Sequence, residues 1–148
     1  MITFPGIVGP RSSIAPSVGP PGEAEVLSLN PQRQHRILQA TGWEKLFPGT
    51  LNLAVEEKWV HQLLLCIPKI RERGEDVKYP MGYAHIPLLR VGYLYYGGRL
   101  KKGNKTVSVL IRRACDPLRT RLEAFSEEKL RVSLELSDGE LVVCEVDE

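Results

Sequence analysis

The sequence predicts a mainly β domain, most simply a small closed barrel carrying one or two short helices. Three observations predict it. Short stretches of alternating apolar and polar residues recur along the chain, separated by turn pairs such as Pro48-Gly49, Gly103-Asn104 and Asp138-Gly139. No regular strand–helix–strand alternation appears, which argues against a doubly wound parallel sheet. With many short strands and little helix to cover them, closing the sheet on itself is the natural way to remove its edges.

The elements follow in order. ITFPGIVG (2–9) reads as a first strand interrupted at Pro5. Residues 10–22 hold four prolines and three serines, the composition of a long loop or flap. EVLSL (25–29) suits a strand. Asn30-Pro31 then starts a helix over 31–41, ended by Gly42, with Ile37 and Leu38 on the buried side and Trp43 packed just beyond. In FPGTLNLAV (47–55), Leu51, Leu53 and Val55 share one face of a strand, and Thr50, Asn52 and Ala54 share the other.

Residues 57–65 fit a helix or a strand, and Pro68 ends either. RERGEDVK (71–78) reads as a charged surface turn. The stretch 83–100 is aromatic and apolar and predicts strands, and TVSVLIRR (106–113) returns across a Gly103-Asn104 hairpin. Asp116 or Pro117 opens a helix or turn over PLRTRLEAF. Residues 131–146 predict a closing hairpin around Asp138-Gly139, with Leu134 and Leu136 on one arm and Leu141 and Val143 on the other.

Composition narrows the function classes. The 148 residues suit one domain with a real core, 43% hydrophobic and 26% charged. A net charge of +2 is too small to argue for a nucleic-acid partner, and no apolar run approaches the ~20 residues of a membrane span. The N-terminus lacks the basic and apolar regions of a secretory signal, so a cytoplasmic location is expected; a monomer is the expected state. Cys66, Cys115 and Cys144 are too far apart for a zinc knuckle, and His35, His61 and His85 have no ligand spacing.

One local pattern has an ordinary explanation. Gly98 to Thr106, GRLKKGNKT, is near GxxxxGK[ST], but strands flank it on both sides, so it reads as a basic hairpin turn. No serine or cysteine sits in a nucleophile motif. Thr50 and Asn52 offer more. Spaced i and i+2 on a strand, they present two hard oxygen donors on one face, suited to Mg2+ if a phosphate ligand supplies the charge. The ordinary alternative is a capped turn and a carboxamide bonded to neighbouring backbone.

The surrounding residues add a resemblance. Gly22 to Leu53, GEAEVLSLNPQRQHRILQATGWEKLFPGTLNL, is similar to the CTP-dependent riboflavin kinases known mainly from archaea. Gly22-Glu23, Leu27-Ser28, the 31–41 helix, Gly42-Trp43 and Gly49-Thr50-Leu51-Asn52 follow one another as in that family. A second block, Glu128 to Val143, resembles its Lys-Leu-Arg segment and Asp-Gly hairpin, whereas residues 55–110 match loosely.

The resemblance implies a six-stranded cradle-loop barrel that transfers the γ-phosphate of CTP to the 5′-hydroxyl of riboflavin, giving FMN and CDP. It implies Thr50 and Asn52 as Mg2+ ligands and the Gly19–Ala24 loop, with Gly22 and Glu23, as a nucleotide contact. It implies a second nucleotide contact at Glu128, Lys129, Leu130 and Arg131, and a flavin contact at Glu123. The loop departs from the family's Gly-x-Gly-Glu-Gly: it reads Gly19-Pro20-Pro21-Gly22-Glu23-Ala24, and proline has no N–H to offer a phosphate. The family's flavin-contacting threonine falls near Ala114 or Cys115. The same barrel without chemistry, binding a nucleotide or a flavin, is the alternative expectation.

Overall fold

In the computed structural model, which describes residues 1–9, 23–78, 92–115 and 120–148, seven antiparallel strands form one sheet. They are β1 (Ile2–Val8), β2 (Leu51–Ala54), β3 (Ile70–Glu72), β4 (Tyr93–Lys102), β5 (Lys105–Ala114), β6 (Arg121–Phe125) and β7 (Leu141–Val146). The order is β3-β4-β5-β6-β2-β1-β7, and β7 pairs back onto β4. Six strands therefore close a barrel, and β3 extends the wall beside β4. The expected fold class is the one found.

Closure depends on β4 changing partners. Tyr93 to Tyr95 pair with β3, and Gly98 to Lys101 pair with β7 on the same edge. Between them a Cβ on Gly98 would lie 2.1 Å from the Glu145 carbonyl oxygen, so only glycine lets the two backbones meet there. The β4–β5 hairpin turns at Gly103-Asn104 as expected, with Gly103 at φ 61°. Glycine at the first central position is what this two-residue turn requires.

Two apolar clusters result. Phe4, Leu51, Leu53, Ile111, Leu122 and Cys144 are among the residues that fill the barrel. Tyr95, Leu110 and Phe125 point outward and pack beneath Leu27 and Ile37 of two helices, α1 (Glu23–Leu29) and α2 (Pro31–Thr41). α2 ends at Gly42, left-handed at φ 77°, and Trp43 packs just beyond, as the sequence predicts. A buried clamp locks this layer. Arg33 donates to both oxygens of Glu72 at 2.9 and 2.7 Å, and the Tyr95 hydroxyl donates to Glu72 at 3.0 Å. Burial, above all, pushes the Tyr95 phenol well above its ordinary pKa.

Several expectations are corrected. β1 runs through Pro5 without interruption, because β2 reaches only Ile7 and Val8 and leaves Pro5 with a single paired edge. EVLSL is helical: Val26 and Leu27 are both buried, and Leu27 packs into the second cluster rather than on a strand face. Asn30 does not cap α2. Its side chain donates to the Val26 and Lys78 carbonyls and accepts from the Lys78 N–H, all at 2.7 Å. Residues 57–65 become α3 (Glu57–Gln62) and a 3-10 turn (Leu63–Leu65), burying Val60 and Leu63 and leaving Leu64 and Leu65 exposed. RERGEDVK is only partly surface: Arg71 and Glu72 belong to β3, and Glu72 is buried. RLEAF is strand β6, not helix.

The closing hairpin is also different. Its first arm is a helical turn, α4 (Leu130–Ser133), held by Leu134 N–H to Leu130 and Leu136 N–H to Arg131. Leu134 and Leu136 still bury, but as a plug under the barrel. In β7 the inward residues are Val142, Cys144 and Val146, while Leu141 is 60% exposed. Five of its six residues are apolar, so pairing with β1 and β4, not alternation, decides the inward set. The 10–22 loop, residues 83–91 of the predicted strands, and Asp116 to Arg119 lie outside the described residues.

Candidate active site

The turn before β2 is anchored from both sides. The Phe47 N–H donates to the Ser126 carbonyl, and the Gly49 N–H to the Phe47 carbonyl, both at 2.9 Å. Thr50 then enters a ladder in which Leu51 faces Ala124, Asn52 faces Glu123 and Leu53 faces Leu122. Leu51 and Leu53 are buried, so Asn52 and Glu123 take the outer face, where the Thr50 hydroxyl makes a long hydrogen bond to Glu123 Oε2 at 3.4 Å. The predicted alternation therefore holds, and Thr50, Asn52 and Glu123 come together.

Glu123 has a second partner that sequence reasoning missed. On its other side, across the β5–β6 ladder, Arg112 donates to Glu123 Oε2 and forms an ion pair with it. Arg112 is buried, and its guanidinium lies 4.4 Å from the Tyr93 ring and 5.0 Å from the Phe125 ring. Asn52, Glu123 and Arg112 thus make one polar row across β2, β6 and β5. The only signal in the sequence was the doublet Arg112-Arg113, which a strand must send to opposite faces.

The other wall of the site comes from residues 126–131. Thr50 shares a cleft of about 220 Å³ with Ser126, Glu128, Lys129, Leu130 and Arg131. The Glu128 N–H donates to Ser126 Oγ at 3.3 Å. Lys129 is exposed, whereas Leu130 packs mainly into the barrel core. Arg131 is committed to the fold: it donates to the Gly9 carbonyl at 2.8 Å and pairs with Asp138 at 2.8 Å. The Gly9 N–H in turn donates to the Asn52 carbonyl at 2.8 Å. Gly9 therefore sits between Asn52 and Arg131.

Of the expected nucleotide loop, Gly19 and Gly22 lie outside the described residues. Glu23 and Ala24 are the first residues of α1 rather than loop. At the position of the family's threonine, Ala114 is buried in the outer cluster and Cys115 is exposed. The basic hairpin is largely neutralised. Arg99 and Lys101 pair with Glu145, Lys102 with Glu140 and Lys105 with Glu135. Lys101 and Arg99 hold the Glu145 carboxyl below its usual range.

The donor set suits Mg2+ in one respect: hydroxyl, carboxamide and carboxylate oxygens are hard ligands. Because Arg112 offsets the charge of Glu123, a divalent cation here needs phosphate oxygens as further ligands. Among the described residues, no three His, Cys, Asp or Glu side chains are grouped to hold a metal by themselves.

The three cysteines are free thiols, and only Cys115 is exposed. Burial pushes Cys144 up to about 12 and, with smaller contributions from nearby charge, raises Cys66. Both therefore stay protonated at pH 8, and thiolate is the reactive form. A thiol reagent at that pH is expected to modify Cys115 rapidly, and Cys66 and Cys144 only after unfolding. Three rapid equivalents from native protein would contradict this packing.

The chain matches no protein-family model and no curated protein. No helix among the described residues is long and apolar enough to cross a membrane.

Proposed function

We propose that the protein is a riboflavin kinase-like phosphotransferase that moves the γ-phosphate of CTP to the 5′-hydroxyl of riboflavin, with Mg2+. One observation carries the reading: Thr50, at the start of β2, shares a single cleft with Glu128–Arg131, far away in sequence. The two blocks of resemblance thus meet in space.

Phosphoryl transfer has a loose transition state and needs alignment and charge neutralisation more than covalent chemistry. The residues suit that demand. Thr50 and Asn52 present oxygen donors at the strand entrance. Glu123, fixed by Arg112 and Thr50, offers a carboxylate that can accept from a substrate hydroxyl and orient it. Lys129 places a mobile positive charge at the cleft. Mg2+ bound by Thr50 and Asn52 would supply charge neutralisation at the β- and γ-phosphates.

The test is incubation with riboflavin, Mg2+ and either CTP or ATP, followed by chromatography for FMN. FMN formed with CTP supports the reading, and no FMN with either nucleotide overturns it. A second reading, a barrel that binds a nucleotide or flavin without chemistry, is favoured by Pro20-Pro21 and by the ion pair that already occupies Glu123. Calorimetric binding of CTP or riboflavin in a protein that forms no FMN would support it.

A further inference from the structure

Four residues on the outer face stand in register across four strands. Tyr95 of β4 faces Arg112 of β5, Arg112 faces Glu123 of β6, and Glu123 faces Asn52 of β2. Directly opposed side chains on one face lie within reach of each other. Printed geometry ties both ends of the row. Arg112 donates to Glu123. The Tyr95 hydroxyl donates to Glu72, which Arg33 of α2 grips through both oxygens. In the middle, the Tyr95 ring lies 5.9 Å from the Phe125 ring, and the Arg112 guanidinium lies 5.0 Å from that same ring.

A phenol that gives its proton to Glu72 keeps its oxygen lone pairs for a donor, and Arg112 is the donor opposite it. Burial raises the Tyr95 phenol most, and Arg112 opposes that rise, by its charge and a hydrogen bond, ahead of Arg33. The row runs from a dry end to a wet one. Arg33, Glu72 and Arg112 side chains are 3%, 4% and 4% exposed, Tyr95 is fully enclosed, and Glu123 is 25% exposed. Charge alternates along it, from Arg33 to Glu72 and, past the phenol, from Arg112 to Glu123. A buried charged group cannot exchange its partner for water, so each member is fixed by its neighbours. A displacement of the Arg33–Glu72 clamp is therefore passed along the row rather than absorbed by solvent.

We propose that Tyr95 is a positioning residue for the candidate site: its hydroxyl ties the Arg112 guanidinium, and through it the Glu123 carboxylate, to the Arg33–Glu72 clamp on α2. Glu123 then keeps its place beside Thr50 only while α2 is seated on the sheet. What Glu123 does there rests on the riboflavin kinase reading; the mechanical link does not.

The experiment uses the full chain labelled with 15N-arginine. The Arg112 guanidinium resonances are identified by their loss in Arg112→Lys, and their hydrogen exchange with solvent is followed. Tyr95→Phe removes one oxygen and no volume. Ile111→Val is the control: it trims the barrel interior beside Arg112, on the opposite face, at a comparable cost in stability. Tyr95→Phe is expected to speed Arg112 exchange at least about 10-fold beyond the control. If Tyr95→Phe does not fold, Arg33→Met with Glu72→Leu serves, and the same loosening of Arg112 is expected at a distance. With riboflavin and CTP, Tyr95→Phe is expected to raise the riboflavin KM about 10-fold and leave the CTP KM unchanged. Arg112 exchange no faster than in the control overturns the proposal. So does a fall in kcat with both KM values unchanged, the mark of lost folded protein. If the native protein forms no FMN with either nucleotide, the kinase reading fails, and the exchange measurement alone decides the link.

Discussion

Arg33→Ala is expected to lower the unfolding free energy by about 3–5 kcal/mol, read as a reduced urea midpoint with an unchanged slope. The size follows from burial. Arg33 and Glu72 side chains are 3% and 4% exposed, and the Tyr95 hydroxyl joins their bidentate pair. Removing the guanidinium strands a carboxylate in the apolar layer between the helices and β3–β4. Replacing both partners by apolar residues, Arg33→Met with Glu72→Leu, removes the stranded charge and is expected to recover much of the loss. A single-substitution loss below about 1 kcal/mol, the range of exposed pairs, would mean that water reaches the clamp.

The second large effect is expected at Gly98. A Cβ there meets the Glu145 carbonyl oxygen at 2.1 Å and its carbon at 3.1 Å, both backbone atoms of the strand that closes the barrel. Neither can move without unpairing β4 from β7. Gly98→Ala is therefore expected to cost about 4 kcal/mol or more, at the severe end for point substitutions. The adjacent glycine is the control. At Gly97 the nearest contact is Lys69 Cε at 2.6 Å, near the end of a flexible side chain that can swing away. Gly97→Ala is expected to cost about 1 kcal/mol. Equal losses at the two positions in urea titrations would contradict the account of closure.

What the sequence made legible was local. Alternation placed Leu51 and Leu53 inward and Asn52 outward, because a half-buried strand exposes its period directly. Gly42 and Gly103 marked real turns, because positive φ selects glycine. What stayed hidden was decided by tertiary partners. EVLSL carries too few residues to separate strand from helix, and packing against Ile37 settles it. Glu72 sits in a charged run and looks exposed, yet Arg33, remote in sequence, buries it. Leu134 and Leu136 are core residues, but local hydrogen bonds from α4 replace the expected strand. In the site, Thr50, Asn52, Glu123 and the 128–131 block were named in advance. Arg112, which fixes Glu123, was not, because ladder register is invisible in one sequence.

We propose above that the outer corner formed by Thr50, Asn52 and Glu123 serves phosphate transfer to a flavin. The most direct measurement is the amount of FMN and CDP formed from riboflavin, CTP and Mg2+ by native protein and by Asn52→Ala. Equimolar FMN and CDP are expected from the native protein. Asn52→Ala should reduce turnover by at least about 100-fold, since in the proposed mechanism it removes one of the two oxygen donors offered to Mg2+. Native protein that yields no FMN with CTP or ATP, or an Asn52→Ala variant of unchanged rate, would contradict the account.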